Sequence, residues 1–415
     1  MIKVAHIINH DIGLQVHGRN YFSYLKAQGY DIHVVSSPGE FVRGDMVTRN
    51  GVVVKAIPFP PRYTPLPDLQ ALIRLVRYFR QERFDVVHTH TVKPGLLGRL
   101  AAWLTGVPVV IHTVHGFHIW DDMGALERRL FVWIERLAAR FCHRLLSQNR
   151  EDMEMAARER ICSPERMRYL GNGIDVTYFD PEQVGPEQVA QVRRTLNVGA
   201  NERLVGMIGR LVRLKGYYDY MEAARLLKQQ GAPLRFLTIG LAQPDKRDAL
   251  SPEELIAQYG LEGTMQHLGR RDDVRELIAA TDAVVLASYA EGIPRVLMEA
   301  AAMGKAAVGT DVRGTREVIV DGETGYLVPP HDPPALAHAI SRLLGDMARA
   351  REMGAAARRR AKDHFDERHY FWRTDAAYRQ LLTEKGLGEK VAVLEPLGAE
   401  ARRVLGESAP PQTIL

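Results

Sequence analysis

The sequence contains few residues of the kinds that build covalent or metal-based frameworks. Its 415 residues include two cysteines, Cys142 and Cys162, which are too few for a disulfide framework and are not spaced as zinc ligands. No run of about 18 apolar residues occurs, so no transmembrane helix is expected. Residues 1–9 become polar too early for a signal peptide. These absences favour the reducing cytoplasm as the location.

A carboxylate pair of the form D-x-D, which could hold a bridging metal ion, is also absent from the sequence. His88, His90, His112 and His118 lie close together in the sequence, but the stretch from His88 to His118 contains no acidic or cysteine residue. We interpret these four histidines as structural or peripheral. We therefore expect neither a metal ion nor another cofactor.

The basic residues in excess are confined to the first part of the chain. Residues 1–180 hold 23 Lys and Arg against 18 Asp and Glu, whereas the remaining residues hold 32 of each. Such a distribution favours an anionic partner of the first part, such as phospholipid head groups or a phosphorylated acceptor. A chance asymmetry is the alternative, and no nucleic acid is expected as a partner.

Short β-branched runs alternate with longer helical patterns such as 71–82 and 125–141, which predicts parallel sheets covered by helices on both faces. The predicted strands are 3–9, 31–37, 52–57, 85–90, 109–115 and 144–149, then 204–209, 234–240, 265–269, 282–287 and 306–310. The restart after a Gly- and Pro-rich linker predicts two doubly wound, Rossmann-like α/β domains with a cleft between them.

The domain boundaries follow from this pattern. We expect an acceptor-side domain over 1–180 and a nucleotide-binding domain over 181–365. A terminal helix over 366–386 is expected to cross back to the first domain. The tail, 387–415, is expected to be loosely ordered.

The segment "YAEGIPRVLMEAAAMGK" (289–305) is suited to binding a phosphate flanked by hydroxyl groups. Pro294 fits the first turn of a helix, where the amides of Arg295 and Val296 would lack helical partners and attract an anion. Glu291 and Glu299 would repel a phosphate, but they can accept hydrogen bonds from sugar and ribose hydroxyls. An amphipathic helix with two solvated glutamates is the alternative.

The segment "GRLVRLKG" (209–216) places Arg210 and Lys215 directly after a predicted strand. These cations could be solvated surface charges, or they could bind a diphosphate. Together with the helix start at Pro294 they favour a nucleotide-diphosphate site in the second domain.

These two segments, with "GTREVIVDGETGYLVPP" (314–330) and "NGID" (172–175), resemble glycosyltransferase family 4. The resemblance covers roughly residues 1–385 and is strongest over 200–330. Members of that family are retaining enzymes of the GT-B fold that use nucleotide sugars. In the first half, "SSPGE" (36–40), "THTVKPGLLGRLAA" and "HTVHGF" resemble bacterial members that build capsule, O-antigen or exopolysaccharide on polyprenyl diphosphate carriers.

The resemblance implies a role for each matching residue. Arg210 and Lys215 would bind the donor diphosphate and stabilise the leaving group, and Glu299 would hold the ribose hydroxyls. Glu291 would contact the transferred sugar, and His115 would lie near the sugar and the acceptor. The backbone that would contact sugar and phosphate is that of Gly292, Ile293, Pro294, Arg295 and Val296. The base would pack near Arg270.

The loop after the first strand departs from the family pattern. Many members carry two adjacent glycines there, whereas this chain has Gly13 alone. Gly13 is the candidate donor contact in this loop. Arg19 is a candidate for the donor or for an acceptor phosphate. A surface loop and a solvated helix arginine are the alternatives.

The segment 125–146 interleaves large apolar residues with arginines. The first interpretation is a core-facing apolar stripe, formed by Leu126, Leu130, Trp133, Ile134, Leu137 and Phe141, with a solvated basic face. The second is peripheral binding to the anionic inner face of the cell membrane, which would suit a polyprenyl-linked acceptor.

The sequence thus predicts a cytoplasmic, metal-independent, retaining glycosyltransferase. Its expected donor is a UDP-sugar, and its expected acceptor is a lipid-linked sugar in surface polysaccharide synthesis. Two alternatives remain open at this point: a nucleotide-sugar epimerase of the same fold, and a non-catalytic protein that binds nucleotide sugars.

Overall fold

The computed structural model describes residues 1–10, 18–39, 46–49, 51–60, 64–117, 119, 123–241, 250–398 and 401. Side chains are described for the same residues, apart from 10, 18, 19 and 46–49. The chain forms two compact units: Met1–Gly171 with Arg368–Leu415, and Asn172–Glu367.

The first unit is built on an eight-stranded sheet in the order β3-β4-β2-β1-β5-β6-β7-β8, parallel except for the pairing of β3 with β4. Its strands are β1 (Ile2–His10), β2 (Tyr30–Ser37), β3 (Met46–Arg49), β4 (Val52–Ala56), β5 (Val86–His90), β6 (Val109–Val114), β7 (Arg144–Ser147) and β8 (Met167–Tyr169). Its helices are α1 (Gly18–Ala27), α2 (Pro65–Glu82), α3 (Val92–Leu104), α4 (Ala125–Ala139) and α5 (Arg150–Arg158), and after the second unit α14 (Glu367–Glu384) and α15 (Gly388–Val391).

The second unit contains a six-stranded parallel sheet in the order β11-β10-β9-β12-β13-β14. Its strands are β9 (Arg203–Ile208), β10 (Leu234–Ile239), β11 (Met265–His267), β12 (Ala283–Leu286), β13 (Ala307–Thr310) and β14 (Gly325–Val328). Its helices are α6 (Pro186–Thr195), α7 (Tyr217–Gln229), α8 (Pro252–Gln258), α9 (Val274–Ala280), α10 (Arg295–Ala302), α11 (Thr315–Val318), α12 (Pro333–Gly345) and α13 (Met347–His364).

The predicted class of two Rossmann-like α/β units is confirmed. The central strands are buried on both faces and are almost entirely apolar, as parallel sheets between helical layers require. The first unit departs from this rule, because His6, His88, His90 and His112 lie on three neighbouring strands inside it and are buried.

The border between the units precedes the predicted residue 180. Ile174 donates its amide hydrogen bond to the Phe365 carbonyl and accepts one from the amide of Glu367, at 2.9 and 3.0 Å. A side chain at Gly173 would overlap with the backbone of Glu367. Residues 172–180 therefore pack with the second unit rather than the first.

Helix α14 completes the core of the first unit. Tyr370, Phe371 and Tyr378 pack there among residues of α1, β1 and β2. Asp375 of this helix is fully buried and accepts a hydrogen bond of 2.6 Å from the Tyr30 hydroxyl. The residues that follow are not uniformly loose as expected, because Leu394 packs into the same core. Residues 402–415 lie outside the described part.

Candidate functional site

The candidate site lies at the point in the second sheet where the strand order reverses, between β9 and β12. Strand β9 lies between β10 and β12, so successive connections leave it on opposite sides. The loops that follow β9 and β12 therefore reach the same carboxyl edge, which is where doubly wound sheets bind ligands. Arg210 and Lys215 belong to the first loop, and Glu291 belongs to the second.

The first loop is held against the second by a glycine. Arg213–Lys215 forms a 3₁₀ turn that ends at Gly216, whose φ of +70° is left-handed. A Cβ at Gly216 would overlap with the carbonyl oxygen of Ala287, at the end of β12. The amide of Tyr289 also donates to the Leu214 carbonyl at 2.9 Å. Only glycine permits this approach, and it brings Lys215 beside the loop that carries Glu291.

Lys215 and Glu291 form an ion pair with each other. The Lys215 ammonium donates to Glu291 Oε1, and the Ser288 hydroxyl donates to the same oxygen at 2.7 Å. The Lys215 and Glu291 side chains are 18% and 10% exposed, respectively. The sequence assigned both residues to the donor, but it did not predict that they contact each other. In this structure the Glu291 carboxylate binds the Lys215 ammonium, which is the cation that the donor diphosphate would use.

Arg210 also belongs to this loop, and its side chain is exposed. Among the described residues it has no ion-pair or hydrogen-bond partner for its guanidinium group. The Lys215 stem passes Gly209, the residue before Arg210, so both cations border one stretch of backbone. Arg210 is therefore available to an anionic ligand, whereas Lys215 must first be shared with Glu291.

The start of α10 supplies backbone donors. Pro294 is the N-cap of this helix rather than a residue of its first turn, since its ψ of 110° is extended. Arg295 and Val296 are consequently the first two helical residues, and their amides have no partner within the helix. The predicted pair of amide donors at this helix start is unchanged by the one-residue difference.

The loop before α10 is packed tightly. Ile293 is 6% exposed, and the Gly292 carbonyl lies so close to Gly314 that a Cβ there would overlap with it. Gly314 has a left-handed φ of +79°. This contact joins the motif at 314–330 to the loop at 291–294, and it holds the backbone that the family resemblance assigns to sugar and phosphate.

Glu299 faces Arg295 one helical turn earlier, with Oε1 and Nε 3.7 Å apart. Burial raises the pKa of Glu299, and the Arg295 guanidinium partly opposes this. Arg295 also donates to the Gly173 carbonyl at 3.0 Å. The Arg295 side chain is therefore occupied in positioning Glu299 and the 172–174 segment, so only its backbone amide remains for the donor.

The remaining candidates are placed less closely. Arg270 is exposed in the loop after β11, and the preceding Gly269 accepts a hydrogen bond of 2.9 Å from the Gly240 amide. Gly13 and the Arg19 side chain lie outside the described residues, as does His118.

His115 follows β6 in the first unit and is partly exposed. Its Nε2 lies 3.0 Å from Nδ1 of His90, and burial lowers its pKa to about 4. It is therefore neutral at pH 7. The sequence pattern favours a structural or peripheral role for His88, His90 and His112 and does not single out His6, although His6 and His88 are register partners on β1 and β5.

A metal-binding interpretation of these histidines does not fit their hydrogen bonds. His6, His88 and His90 offer ring nitrogens within 4.8 Å of one another. Each of their ring nitrogens, however, already has a hydrogen-bond partner in the described part of the chain. A cation bound there would have to break these bonds, in a buried setting with no carboxylate in the group.

The outer face of α4 differs from the first interpretation of its sequence. Leu126, Leu130 and Trp133 are 84%, 55% and 60% exposed, respectively, so these apolar residues do not face the core. The buried face instead carries Val132, Glu135, Ala138 and Ala139. Trp103 of α3 is 61% exposed and packs edge-on to Phe141, which extends the apolar surface. None of the described helices is long and apolar enough to span a bilayer.

Each half of this chain matches the model of a known protein family. Residues 189–360 match the model of the family "Glycosyl transferases group 1", and residues 13–173 match "Glycosyl transferase 4-like domain". The alpha-maltose-1-phosphate synthase of Mycolicibacterium smegmatis is 31% identical over 317 residues, which cover 72% of this chain and 80% of that protein.

A second relative is the UDP-Gal:alpha-D-GlcNAc-diphosphoundecaprenol alpha-1,3-galactosyltransferase of Escherichia coli. It is 27% identical over 356 residues, which cover 83% of this chain and 88% of that protein. Among solved structures, Anabaena Alr3699/HepE in complex with UDP-glucose superposes with a TM-score of 0.75 at 20% identity, covering 92% of this chain and all of that one. The chain therefore belongs to the glycosyl transferases group 1 and is a glycosyltransferase of the GT-B fold.

Proposed function

We propose that this glycosyltransferase moves a sugar from a UDP-sugar to a lipid-linked sugar in the synthesis of a surface polysaccharide, with retention of anomeric configuration and without a metal ion. The observation that carries the proposal is the grouping of Lys215, Glu291 and the first amides of α10 at one edge of the second sheet. The relatives support the substrates: one is named for UDP-galactose and a diphosphoundecaprenol acceptor, and one structure holds UDP-glucose.

The donor diphosphate would be bound by Arg210, Lys215 and the amides of Arg295 and Val296. Departure of UDP leaves negative charge on the diphosphate, and fixed cations and amides stabilise that charge without rearranging. The absence of a D-x-D motif from the sequence supports the assignment of this task to the two cations. Glu299 would accept hydrogen bonds from the ribose hydroxyls, and Glu291 would accept them from the transferred sugar.

Retention follows from a front-face attack. The acceptor oxygen forms its bond to the anomeric carbon on the face from which the diphosphate leaves. The hydroxyl proton passes to an oxygen of the leaving diphosphate, so that UDP and the glycosylated acceptor are the products. This route needs no carboxylate nucleophile, and the sequence of the first half offers no convincing one.

A lipid-linked acceptor would reside at a membrane, and the exposed face of α4 is suited to one. Leu126, Leu130 and Trp133 would enter the boundary between head groups and acyl chains, and Arg129 and Arg140, both exposed, would meet anionic head groups. We expect Leu130→Glu with Trp133→Glu to abolish sedimentation with phosphatidylglycerol vesicles. Val393→Glu, at a residue 71% exposed outside this face, should sediment as the unaltered protein does.

Incubation with a panel of UDP-sugars, with and without a polyprenyl diphosphate-sugar, tests the proposed activity. We expect a product only when the acceptor is present. Conversion of the donor alone into an isomer would identify an epimerase, and donor binding without any turnover would identify a non-catalytic binding protein. A thermal-shift screen of nucleotide sugars would first identify the donor, since a bound donor stabilises the folded state.

A further inference from the structure

A continuous chain of hydrogen-bonded side chains runs through the core of the first unit and ends at His115. His88 contacts the Thr113 hydroxyl through Nε2 and the Tyr378 hydroxyl through Nδ1, both at 2.6 Å. The Tyr378 hydroxyl lies 3.3 Å from Nε2 of His6. Nδ1 of His6 lies 3.2 Å from Nε2 of His90, and Nδ1 of His90 lies 3.0 Å from Nε2 of His115.

The fold brings these residues together from distant parts of the chain. His6 and His88 are register partners on β1 and β5, and His90 pairs with Thr113 on β6. Tyr378 comes from α14, near the other end of the sequence. Burial lowers the pKa of His6 to about 3 and those of His88 and His90 well below their ordinary value, so the rings are neutral.

Neutrality makes the positions of the ring protons interdependent. A neutral imidazole carries one N–H and one bare nitrogen. A hydrogen bond between two ring nitrogens needs one proton between them, so the tautomer of each ring decides that of its neighbour. His6, His90 and His115 are joined by two such bonds. The position of the ring proton on His6 therefore determines the position of the ring proton on His115, although the two residues share no hydrogen bond.

The ends of the chain select one direction. The Thr113 hydroxyl is fully buried, and His88 is its hydrogen-bond partner, to which it can donate. At the other end a hydrogen bond with the Gln148 side chain raises the pKa of His115. The Gln148 amide nitrogen is buried without a partner among the described residues. Donation thus runs from Thr113 through His88, Tyr378, His6 and His90, and it leaves the His115 proton on Nδ1.

We propose that His6 and His90 are positioning residues that hold His115 as a single neutral tautomer with its proton on Nδ1. The inference rests on the proposed function and on the family resemblance, which implies that His115 lies near the sugar and the acceptor. Nδ1–H is the donor that a sugar hydroxyl could engage in place of Gln148. A ring fixed in this way presents one defined hydrogen-bond donor and adds no positive charge.

The tautomer of His115 can be read directly by NMR. Long-range ¹H–¹⁵N spectra of the full chain, labelled with ¹⁵N-histidine and without donor, distinguish the two neutral tautomers. His115→Asn identifies the His115 signals by their loss. We expect one tautomer, protonated at Nδ1, in the unaltered protein and a mixture of both in His6→Phe and His90→Phe. His90→Gln, which can donate and accept, should restore a single tautomer.

The matched control is His33→Phe. His33 is a buried histidine of the same unit that bonds the Tyr78 hydroxyl at 2.7 Å, outside the chain of rings. The His33→Phe substitution should leave the tautomer of His115 unchanged. His6→Asn serves if the phenylalanine variant does not fold. A single unaltered His115 tautomer in folded His6 and His90 variants, or a mixture in the unaltered protein, would overturn the proposal.

Activity separates this inference from the proposed function. We expect His6→Phe to lower kcat about tenfold with an unchanged Kd for UDP, because the residues proposed to bind the diphosphate, Arg210 and Lys215, belong to the second unit. An altered His115 tautomer with an unchanged kcat would contradict the positioning role. A normal tautomer result in a protein that transfers no sugar would instead contradict the proposed function.

Discussion

Replacing Glu291 with glutamine should tighten the binding of UDP while it slows sugar transfer. Glu291 forms an ion pair with Lys215, the cation that we assign to the donor diphosphate. The amide oxygen of glutamine keeps the shape of the side chain and can still accept from the Ser288 hydroxyl, but it carries no charge. The substitution therefore removes the anion that competes with the diphosphate for Lys215.

The size of the effect follows from the pair. Two unit charges 4 Å apart interact by about 4 kcal/mol at the effective dielectric constant near a protein surface. The Lys215 and Glu291 side chains are 18% and 10% exposed, so water screens part of this energy. We expect about one third of it to be regained by UDP, since the freed ammonium is also hydrated. That corresponds to about 1.4 kcal/mol, or roughly tenfold tighter binding.

Calorimetric titration with UDP measures this directly, because UDP carries the diphosphate without the sugar. Glu276→Gln is the control: Glu276 forms a similar partly buried pair with Arg275, at 2.6 Å in the same unit. Its loss should leave the Kd for UDP unchanged. In transfer assays Glu291→Gln should lower kcat by about 100-fold, since a contact to the transferred sugar is weakened.

Weaker or unchanged UDP binding by a folded Glu291→Gln protein would refute this reasoning. It would mean that the diphosphate does not use Lys215, or that Glu291 supports the diphosphate rather than competing with it.

Three further predictions concern the cations, the glycine at the loop contact and the buried histidines. Lys215→Ala should lower kcat by about 1,000-fold and UDP-sugar affinity by about tenfold, with Lys228→Ala as the exposed-lysine control; equal small effects would make Lys215 a surface charge. Gly216→Ala should destabilise the protein by about 2 kcal/mol or more in denaturant titrations, because the added Cβ meets the Ala287 carbonyl. The control is Gly231→Ala, which should cost about 1 kcal/mol, because Gly231 has a similar φ of +72° but no atom within 4 Å of the added Cβ. The pKa of His6 is about 3 in the folded protein and about 6.5 in the unfolded chain. Its contribution to the free energy of unfolding is therefore fully present above pH 6.5 and is lost as the pH falls towards 3. Between pH 7 and pH 5 His6 alone should lower the free energy of unfolding by about 2 kcal/mol. The same direction is expected from the other histidines whose pKa is lowered, which are His88, His90, His112 and His115. Equal stability in denaturant titrations at both pH values would contradict these shifts.

The fold was predictable because buried parallel strands are continuous apolar runs. Strands β9 and β12 are of this kind, and their positions agree with the sequence prediction to within one residue at each end. The three strands that the prediction missed, β3, β8 and β14, are four, three and four residues long and belong to the outermost part of each sheet. Runs that short carry little periodicity, and their pairing depends on the neighbouring strand rather than on their own residues.

Two features that sequence reasoning missed, one in each unit, both depend on contacts between distant residues. The Lys215–Glu291 pair joins residues 76 positions apart and requires the approach of Gly216 to Ala287. The histidine chain requires the register of β1 against β5, together with a tyrosine from α14. Alternating histidines at 88 and 90 were a usable signal, because the strand pattern places both on one face of β5.

The face of α4 shows a different limit. Apolar residues occur on both sides of this helix, so the spacing of Leu126, Leu130 and Trp133 is as consistent with the core as Val132, Ala138 and Ala139 are. The structure selects the smaller side chains, which allow α4 to pack closely on its unit. The larger ones remain exposed, which the pattern alone could not decide.

The central claim is transfer with retention, driven by protein cations rather than by a metal ion. Its most direct test is the reaction of the identified UDP-sugar with a polyprenyl diphosphate-sugar in excess EDTA, with the anomeric configuration of the new linkage determined by NMR. We predict that the rate is unchanged by EDTA and that the product keeps the anomeric configuration of the donor. A product of inverted configuration, or a reaction that stops in EDTA and resumes with added Mg²⁺ or Mn²⁺, would contradict the claim.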